Sequence, residues 1–188
     1  MGDLNNSPFI EIERKYLIEL ASIDRWCEQI FSLSPDNHHD ISTHDTYWVG
    51  PDKNSVLRYR SARNLAQVTF KSLGGPIEVR NEVNVSLDPA VDDHKLKLME
   101  FAKNLHFSYG GEISKQGRTF NFPDCEITCY TATCLAGEVS CIEIELRSID
   151  DISHAPELFS YYEGIVGINR LTRSEKSLFE IFFEDGAK

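Results

Sequence analysis

Polar and apolar residues alternate with a period of two along most of this chain. Eight stretches read this way, over residues 9–20, 41–49, 55–62, 65–72, 78–87, 112–122, 125–135 and 138–148. Such alternation marks strands that bury one face. Gly50-Pro51-Asp52 and Gly74-Gly75-Pro76 separate some of them, and Arg63-Asn64 and Ala136-Gly137 are short enough to be hairpin turns. The sheet is therefore antiparallel at least locally. Four helices are predicted between and after the strands. One runs from a Ser22 cap to about Ser32, with Ile23, Trp26, Cys27, Ile30 and Phe31 on one side. A second starts at Asp88-Pro89 and reaches Lys103, with Leu96, Met99 and Phe101 among its apolar positions. The last two cover about residues 156–166 and 173–183, the latter capped by Thr172. Residues 34–40, which hold His38-His39, are polar and read as a loop outside any zinc pattern.

Taking every second residue of a strand separates its two faces. In the first strand Glu11, Glu13 and Lys15 share one face, and Ile10, Ile12 and Tyr16 share the other. The same parity groups Arg58 with Arg60, Thr69 with Lys71, and Arg80 with Glu82 and Asn84. The sixth strand offers Lys115 and Arg118, and the last sets Glu143, Glu145 and Arg147 against Ile142, Ile144 and Leu146. A sheet wetted on one side also has a charged face. Here, however, carboxylates concentrate on the first and last strands and cations on those between. If eight such strands close into a barrel, first and last become neighbours. Four glutamates then converge beside an arc of arginine and lysine. Carboxylate oxygens suit Mg²⁺ or Mn²⁺, and guanidinium forks and ammonium groups suit phosphate. The expectation is a hard-cation nest beside a polyphosphate cradle. Glu82, between them, is placed to orient a water, bind a second metal or pair with an arginine; Glu82 and Lys15 are the candidate catalytic residues.

Composition narrows the class. At 188 residues, 41% hydrophobic and 26% charged, the chain can bury a core without staples, and a single domain over 1–188 is expected. No run of about 18 apolar residues marks a membrane span. The N-terminus lacks the layout of a secretion signal, so a cytoplasmic protein without a membrane partner is expected. The five cysteines form no C-x-x-C pair and read as reduced core residues. A net charge of −11 argues against a nucleic-acid partner, but not against a small polyanion held by inward-pointing cations. A homodimer is left open.

The motifs also fall in a familiar order. Glu-x-Glu-x-Lys (Glu11 to Lys15) is followed by His-Asp-Thr-Tyr (His44 to Tyr47), Leu-Arg-Tyr-Arg (Leu57 to Arg60) and Thr-Phe-Lys (Thr69 to Lys71). Then come Arg-x-Glu (Arg80, Glu82), a late basic pair (Lys115, Arg118) and Glu-Ile-Glu (Glu143 to Glu145). In this the chain resembles the CYTH superfamily over about residues 9–183. These are the triphosphate tunnel metalloenzymes, which include class IV adenylyl cyclases, thiamine triphosphatases and inorganic triphosphatases. The resemblance implies an α+β, mainly β fold: an eight-stranded antiparallel β-barrel tunnel with flanking helices. It implies Mg²⁺ or Mn²⁺ on Glu11, Glu13, Glu143 and Glu145. It also implies a small-molecule triphosphate held by Lys15, Arg58, Arg60, Lys71, Arg80, Lys115 and Arg118, with Lys176 or Arg173 reaching the tunnel mouth.

Three departures stand out. The family's second carboxylate in Arg-x-Glu-x-Glu is Asn84 here. Gly117 shifts the parity between Lys115 and Arg118, so a bulge would be needed to turn both inward. Members usually carry an aspartate on the strand before Glu-Ile-Glu; its place falls on Tyr130 or Thr133, with no acid between Glu126 and Glu138. The expected function is metal-dependent hydrolysis of inorganic, thiamine or nucleoside triphosphate. Cyclisation of ATP to cyclic AMP is the second reading, and a non-catalytic polyphosphate-binding module the third. Trp48, Tyr47 and Tyr130 are the side chains able to stack on an organic ring.

Overall fold

The computed structural model describes residues 10–73, 79–147 and 152–183. The strands among them are β1 Ile10–Ile18, β2 Asn37–Val49, β3 Ser55–Ala62, β4 Leu65–Ser72, β5 Val79–Leu87, β6 Ser108–Asn121, β7 Cys125–Cys134, β8 Gly137–Leu146 and β9 Arg173–Ser174. The helices are α1 Ile23–Phe31, α2 His94–Asn104, α3 Ala155–Val166 and α4 Leu178–Phe183. Hydrogen-bonded neighbours run β5-β4-β3-β2-β6-β7-β8-β1. The ring returns to β5 through Ile10↔Asn81, Glu11↔Arg80 and Ile12↔Val79, so eight antiparallel strands close a barrel. β9 is a two-residue addition to β1 at Lys15↔Ser174 and Tyr16↔Arg173.

The period of two makes the barrel wall a divider. Outward residues are apolar: Ile12 and Tyr16 of β1, Ile127 of β7, and Ile142 and Ile144 of β8 pack with Ile30 of α1 and Phe159 and Val166 of α3. Each such side chain contributes about 1.5–3 kcal/mol when fully buried. Arg14 points out among them, donating to Glu163 at 2.7 Å and lying 4.3 Å over the Phe159 ring. On the far side Ala102 of α2 packs with Trp48, Leu57 and Tyr59. With two of its apolar clusters placed outside the wall and a third gathered inside beneath α4, the rest of the barrel interior can be polar.

Several boundaries differ from the sequence expectation. β2 begins at Asn37, because pairing with β6 continues from Thr43↔Lys115 down to Asn37↔Asn121; His38 and His39 are therefore strand residues. α2 begins at His94, not at Asp88-Pro89: the Asp88 carboxylate accepts the Ala90 N–H at 2.9 Å and shapes a turn instead. Its expected apolar side, Leu96, Met99 and Phe101, is exposed, since the small Ala102 and Leu98 make the contact with β3. The last helix starts at Leu178. Ser177 caps it, with the Ser177 N–H donating to Glu180 at 2.6 Å and the Glu180 N–H to Ser177 Oγ at 3.2 Å, a capping box that Thr172 cannot supply. The β7–β8 turn falls on Leu135 and Ala136, one residue earlier than expected, with Gly137 at φ +146°.

Candidate active site in the barrel lumen

A cavity of about 370 Å³ fills the interior of the barrel. Register fixes its acidic side. Glu13 stands opposite Glu145, and Glu145 opposite Glu126, so three carboxylates lie side by side across β1, β8 and β7. Directly opposed side chains have Cβ atoms roughly 4.5–5.5 Å apart, and like charges there repel. Burial, then the negative charges of Glu11, Glu126 and Glu13, push the Glu145 carboxyl up to about 8. Burial and Glu13, against the pull of Lys71, push Glu11 up to about 7. Glu143 is treated differently. It accepts the Lys15 ammonium at 2.9 Å and the Tyr130 hydroxyl at 2.7 Å. Burial opposes its charge, yet Lys15 and Lys115 hold it well below the usual carboxylate range.

The basic side is a set of pairs. Arg58 Nη2 donates to Thr69 Oγ1 at 2.9 Å, Thr69 to Asn84 Oδ1 at 2.6 Å, and Asn84 Nδ2 to Glu82 at 2.7 Å. An amide at position 84 can accept and donate in this relay; an ionised carboxylate cannot donate. Glu82 also faces Lys71 at 3.2 Å and Arg58 at 3.7 Å, and Lys71 bonds Glu11. Burial works against the Glu82 charge, but Lys71 and Arg58 keep its pKa lowered. Arg60 forms a two-pronged bond to Asp45, with both contacts at 2.7 Å, and Asp45 is fully buried. Lys115 has no carboxylate within ion-pair distance among the described residues; its ammonium lies 4.7 Å over the Tyr130 ring, and burial lowers its pKa. Beside it Thr43 Oγ1, and on β3 Arg58 Nε, are buried without hydrogen-bond partners among the described residues. Orphaned buried donors in a native fold call for an explanation, and an anion between them would supply one.

Glu11, Glu13, Glu143, Glu145, Lys15, Arg58, Arg60, Lys71, Glu82 and Lys115 thus line one cavity. Arg118 does not. β6 pairs regularly from Ser114 to Asn121 with no bulge, so Lys115, Gly117 and Thr119 face in while Arg118 faces out and donates to Asp40 at 2.8 Å. Gly117 cannot carry a side chain, because a Cβ there would lie 2.2 Å from the Cys129 carbonyl oxygen. Arg80 stands opposite Glu11, but its side chain lies outside the described residues. Lys176 and Arg173 are exposed and do not line the cavity. Trp48 faces outward beneath α2, while Tyr47 and Tyr130 use their hydroxyls on Asp45 and Glu143.

Three residues with evident roles carry no prediction. Asp45 sits two residues from inward-facing Tyr47, so parity alone could have found it. Glu126 shares the parity of Tyr130 and lies four residues before it, at the N-terminal end of the same strand. His39 lines the cavity only because β2 extends further than its sequence suggests.

The donor set fits a hard divalent cation: oxygen ligands only, on one inward face, with Glu145 and Glu11 raised by burial and then by neighbouring carboxylates, a repulsion that a cation would relieve. As the side chains stand, no three His, Cys, Asp or Glu among the described residues form a ready metal cage. Glu11 is turned to Lys71 and Glu143 to Lys15. The raised groups have a measurable consequence. Between about pH 4.5 and 8 the folded chain retains protons that the unfolded chain has lost, so metal-free stability falls as pH rises. Thermal unfolding in EDTA should show Tm declining over that window, with Mn²⁺ reversing the decline. A flat profile in EDTA would contradict the repulsive row.

A closed eight-stranded antiparallel barrel with acids on one wall and cations on the other defines a charged-tunnel fold. The chain belongs to the CYTH family, whose domain matches residues 10–165. Among solved structures it is similar to the PH1012 protein from Pyrococcus horikoshii OT3, with a TM-score of 0.73 at 19% identity over 92% of this chain and 99% of the other. It is similar to a putative adenylate cyclase from Bacillus halodurans, with a TM-score of 0.66 at 19% identity over 92% and 97%. It is also similar to a putative adenylyl cyclase from Hippeastrum described as having a dominant triphosphatase activity, with a TM-score of 0.65 at 16% identity over 94% and 95%. None of the curated proteins compared with it matches. No helix among the described residues is long and apolar enough to cross a membrane.

Proposed function

We propose that this protein is a divalent-metal-dependent phosphohydrolase that cleaves a triphosphate inside the barrel. The observation that carries the reading is the segregation of charge within one cavity: a carboxylate row on β7, β8 and β1 faces cations on β3, β4 and β6. Glu11, Glu13, Glu143 and Glu145, with Glu126 alongside, would hold Mg²⁺ or Mn²⁺, which supplies charge neutralisation at phosphate oxygens when bound. Lys115, Arg58 Nε and Thr43 receive phosphoryl oxygens. Lys15 and Lys71 guard the border with the acids. Glu82, its charge held by Lys71 and Arg58, is a weak base and serves to position those two cations. Phosphoryl transfer asks for this positioning and neutralisation more than for covalent chemistry. A water oxygen bonds to the terminal phosphorus, the anhydride P–O bond breaks with its electron pair leaving on the diphosphate, and a proton is released to solvent.

Hydrolysis is favoured over cyclisation because these aromatic side chains make no ring slot in the lumen among the described residues: Trp48 is outside the wall, and the Tyr47 and Tyr130 rings are packed with their hydroxyls bound. The test is a panel of tripolyphosphate, thiamine triphosphate and nucleoside triphosphates with Mg²⁺ or Mn²⁺. Orthophosphate release supports the proposal. Cyclic AMP and pyrophosphate from ATP would make it a cyclase, and tight binding without turnover a binding module. Arg58→Ala should raise KM about tenfold or more with a smaller loss in kcat, since it removes a cation but no carboxylate.

A further inference from the structure

Two cysteines meet on the outside of the barrel, away from the lumen. Cys129 has the outward parity of Ile127 and lies beneath α1 with no exposed surface. Its thiol donates to the Ile23 carbonyl at 3.8 Å. In a helix that carbonyl also takes the N–H four residues on, and side chains lean back toward the N-terminus. Cys27 stands at that position, so its sulfur leans over the turn that Cys129 already touches, and it packs against the same cluster. A direct bond from the Cys129 thiol lowers the Cys27 pKa, and the Arg118 guanidinium adds to this against burial and the charges of Asp24 and Asp40. The same contact pushes the Cys129 thiol up, so Cys129 keeps its proton.

Access separates the two sulfurs further. A groove of about 560 Å³ between α1 and the outer face of β6 is lined by Cys27 but not by Cys129. Asp24, Glu28 and Asp40 edge it together with Arg118, which donates to Asp40 at 2.8 Å. The other cysteines are placed differently. Burial pushes Cys125 and Cys141 up to about 12, and Cys134 ends β7, accepting the Ala136 N–H at 3.2 Å.

We propose that Cys27 and Cys129 form a redox modification site, in which a small neutral hydroperoxide oxidises Cys27 and Cys129 then closes a disulfide from α1 to β7. The Cys27 thiolate bonds to one peroxide oxygen and the O–O bond breaks. The departing oxygen takes up the proton that Cys27 released and leaves as water or an alcohol. Cys27 is now a sulfenic acid. The Cys129 sulfur bonds to the Cys27 sulfur, the S–O bond breaks, and hydroxide leaves with the Cys129 proton as water. Together the two sulfurs give up two electrons and the peroxide takes them. A disulfide is about 2.05 Å long, so thiols already in contact reach it by small side-chain rotations. The three carboxylates edging the groove favour a neutral oxidant over an anionic one. In a reducing compartment such a bond is transient and serves sensing. The site lies outside the barrel and is independent of the phosphohydrolase reading.

Hydrogen peroxide titrated into the reduced full chain tests it, with alkylation of free thiols and tandem mass spectrometry. Wild type should lose two hydrogens, about 2 Da, with the link placed between Cys27 and Cys129 and reversed by a thiol reductant. Cys129→Ser should instead hold Cys27 as a sulfenic acid, labelled by dimedone at least about tenfold more than any other cysteine. If Cys129→Ser fails to fold, Cys27→Ser on the more exposed partner stands in: it should abolish the link and leave Cys129 unoxidised. A link between other cysteines, labelling centred on Cys134, or resistance of Cys27 to peroxide overturns the site. Oxidation of Cys27 in wild type to sulfinic acid without a disulfide overturns it as well, since Cys129 would then not reach its partner.

Discussion

Glu145→Gln should abolish metal-dependent triphosphate turnover, by at least about 100-fold or roughly 2.7 kcal/mol in the barrier, while making the metal-free protein more stable. Both halves follow from one geometry. Glu145 lies between Glu13 and Glu126 in the carboxylate row and has no cation partner of its own among the described residues. Its charge is raised in energy by burial and by Glu11, Glu126 and Glu13. Removing that charge relieves the repulsion by about 1–2 kcal/mol at pH 8, after discounting for its partial exposure to water. It also removes the ligand with most to gain from a cation. Glu13→Gln should lose turnover to a similar degree. Orthophosphate release and urea unfolding in EDTA measure the two effects. Normal turnover in both variants would show that the acidic row is not the metal site.

Asp45→Ala should be the most destabilising substitution in the lumen, at about 3–5 kcal/mol. Asp45 has no exposed surface and neutralises Arg60 through two 2.7 Å bonds. Deleting it strands a guanidinium in the wall and also removes the acceptor for the Tyr47 hydroxyl. Burial opposes the Asp45 charge, but Arg60 and Arg58 hold its carboxyl below the ordinary range. A depressed carboxyl stabilises the fold above its unfolded value, near 3.9, and loses that contribution as pH falls through the folded value. The gap between wild type and variant in urea midpoint should therefore be full near neutral pH and shrink below about pH 4. Because Arg60 keeps its place on the lumen, tripolyphosphate binding should survive wherever the variant is folded. A midpoint unchanged by Asp45→Ala would show that the pair contributes nothing net.

Much of this site is legible in the sequence. Strand parity alone put Glu11, Glu13 and Lys15 on one face and Glu143 and Glu145 on one face, and register then set the two groups opposite each other. Parity also forecast the Arg118 difficulty: Gly117 cannot shift the phase without a bulge, and β6 has none there. What stayed hidden depended on partners distant in sequence. Asn84 looked like a lost carboxylate, yet it is the joint between Thr69 and Glu82. The acid missing from the strand before Glu-Ile-Glu has a counterpart in Glu126, brought into the row by its pairing with Glu145. Helix limits are the features least legible in the sequence. At Asp88 and Ser177 the deciding event is which backbone N–H a short polar side chain captures, and periodicity carries no trace of that.

The amino-acid order by itself determined a barrel-forming strand set with a charged face, and which residue types that face would hold, because a period of two leaves each side chain only two directions. Tertiary structure alone decided how those charges are used. Pairing across closed strands left Lys115 without an ion-pair partner among the described residues, gave Arg60 a buried counter-charge, and packed α4 over one end of the lumen. Charge balance and access depend on distances between strands that are far apart in the chain, and those distances exist only once the ring has closed.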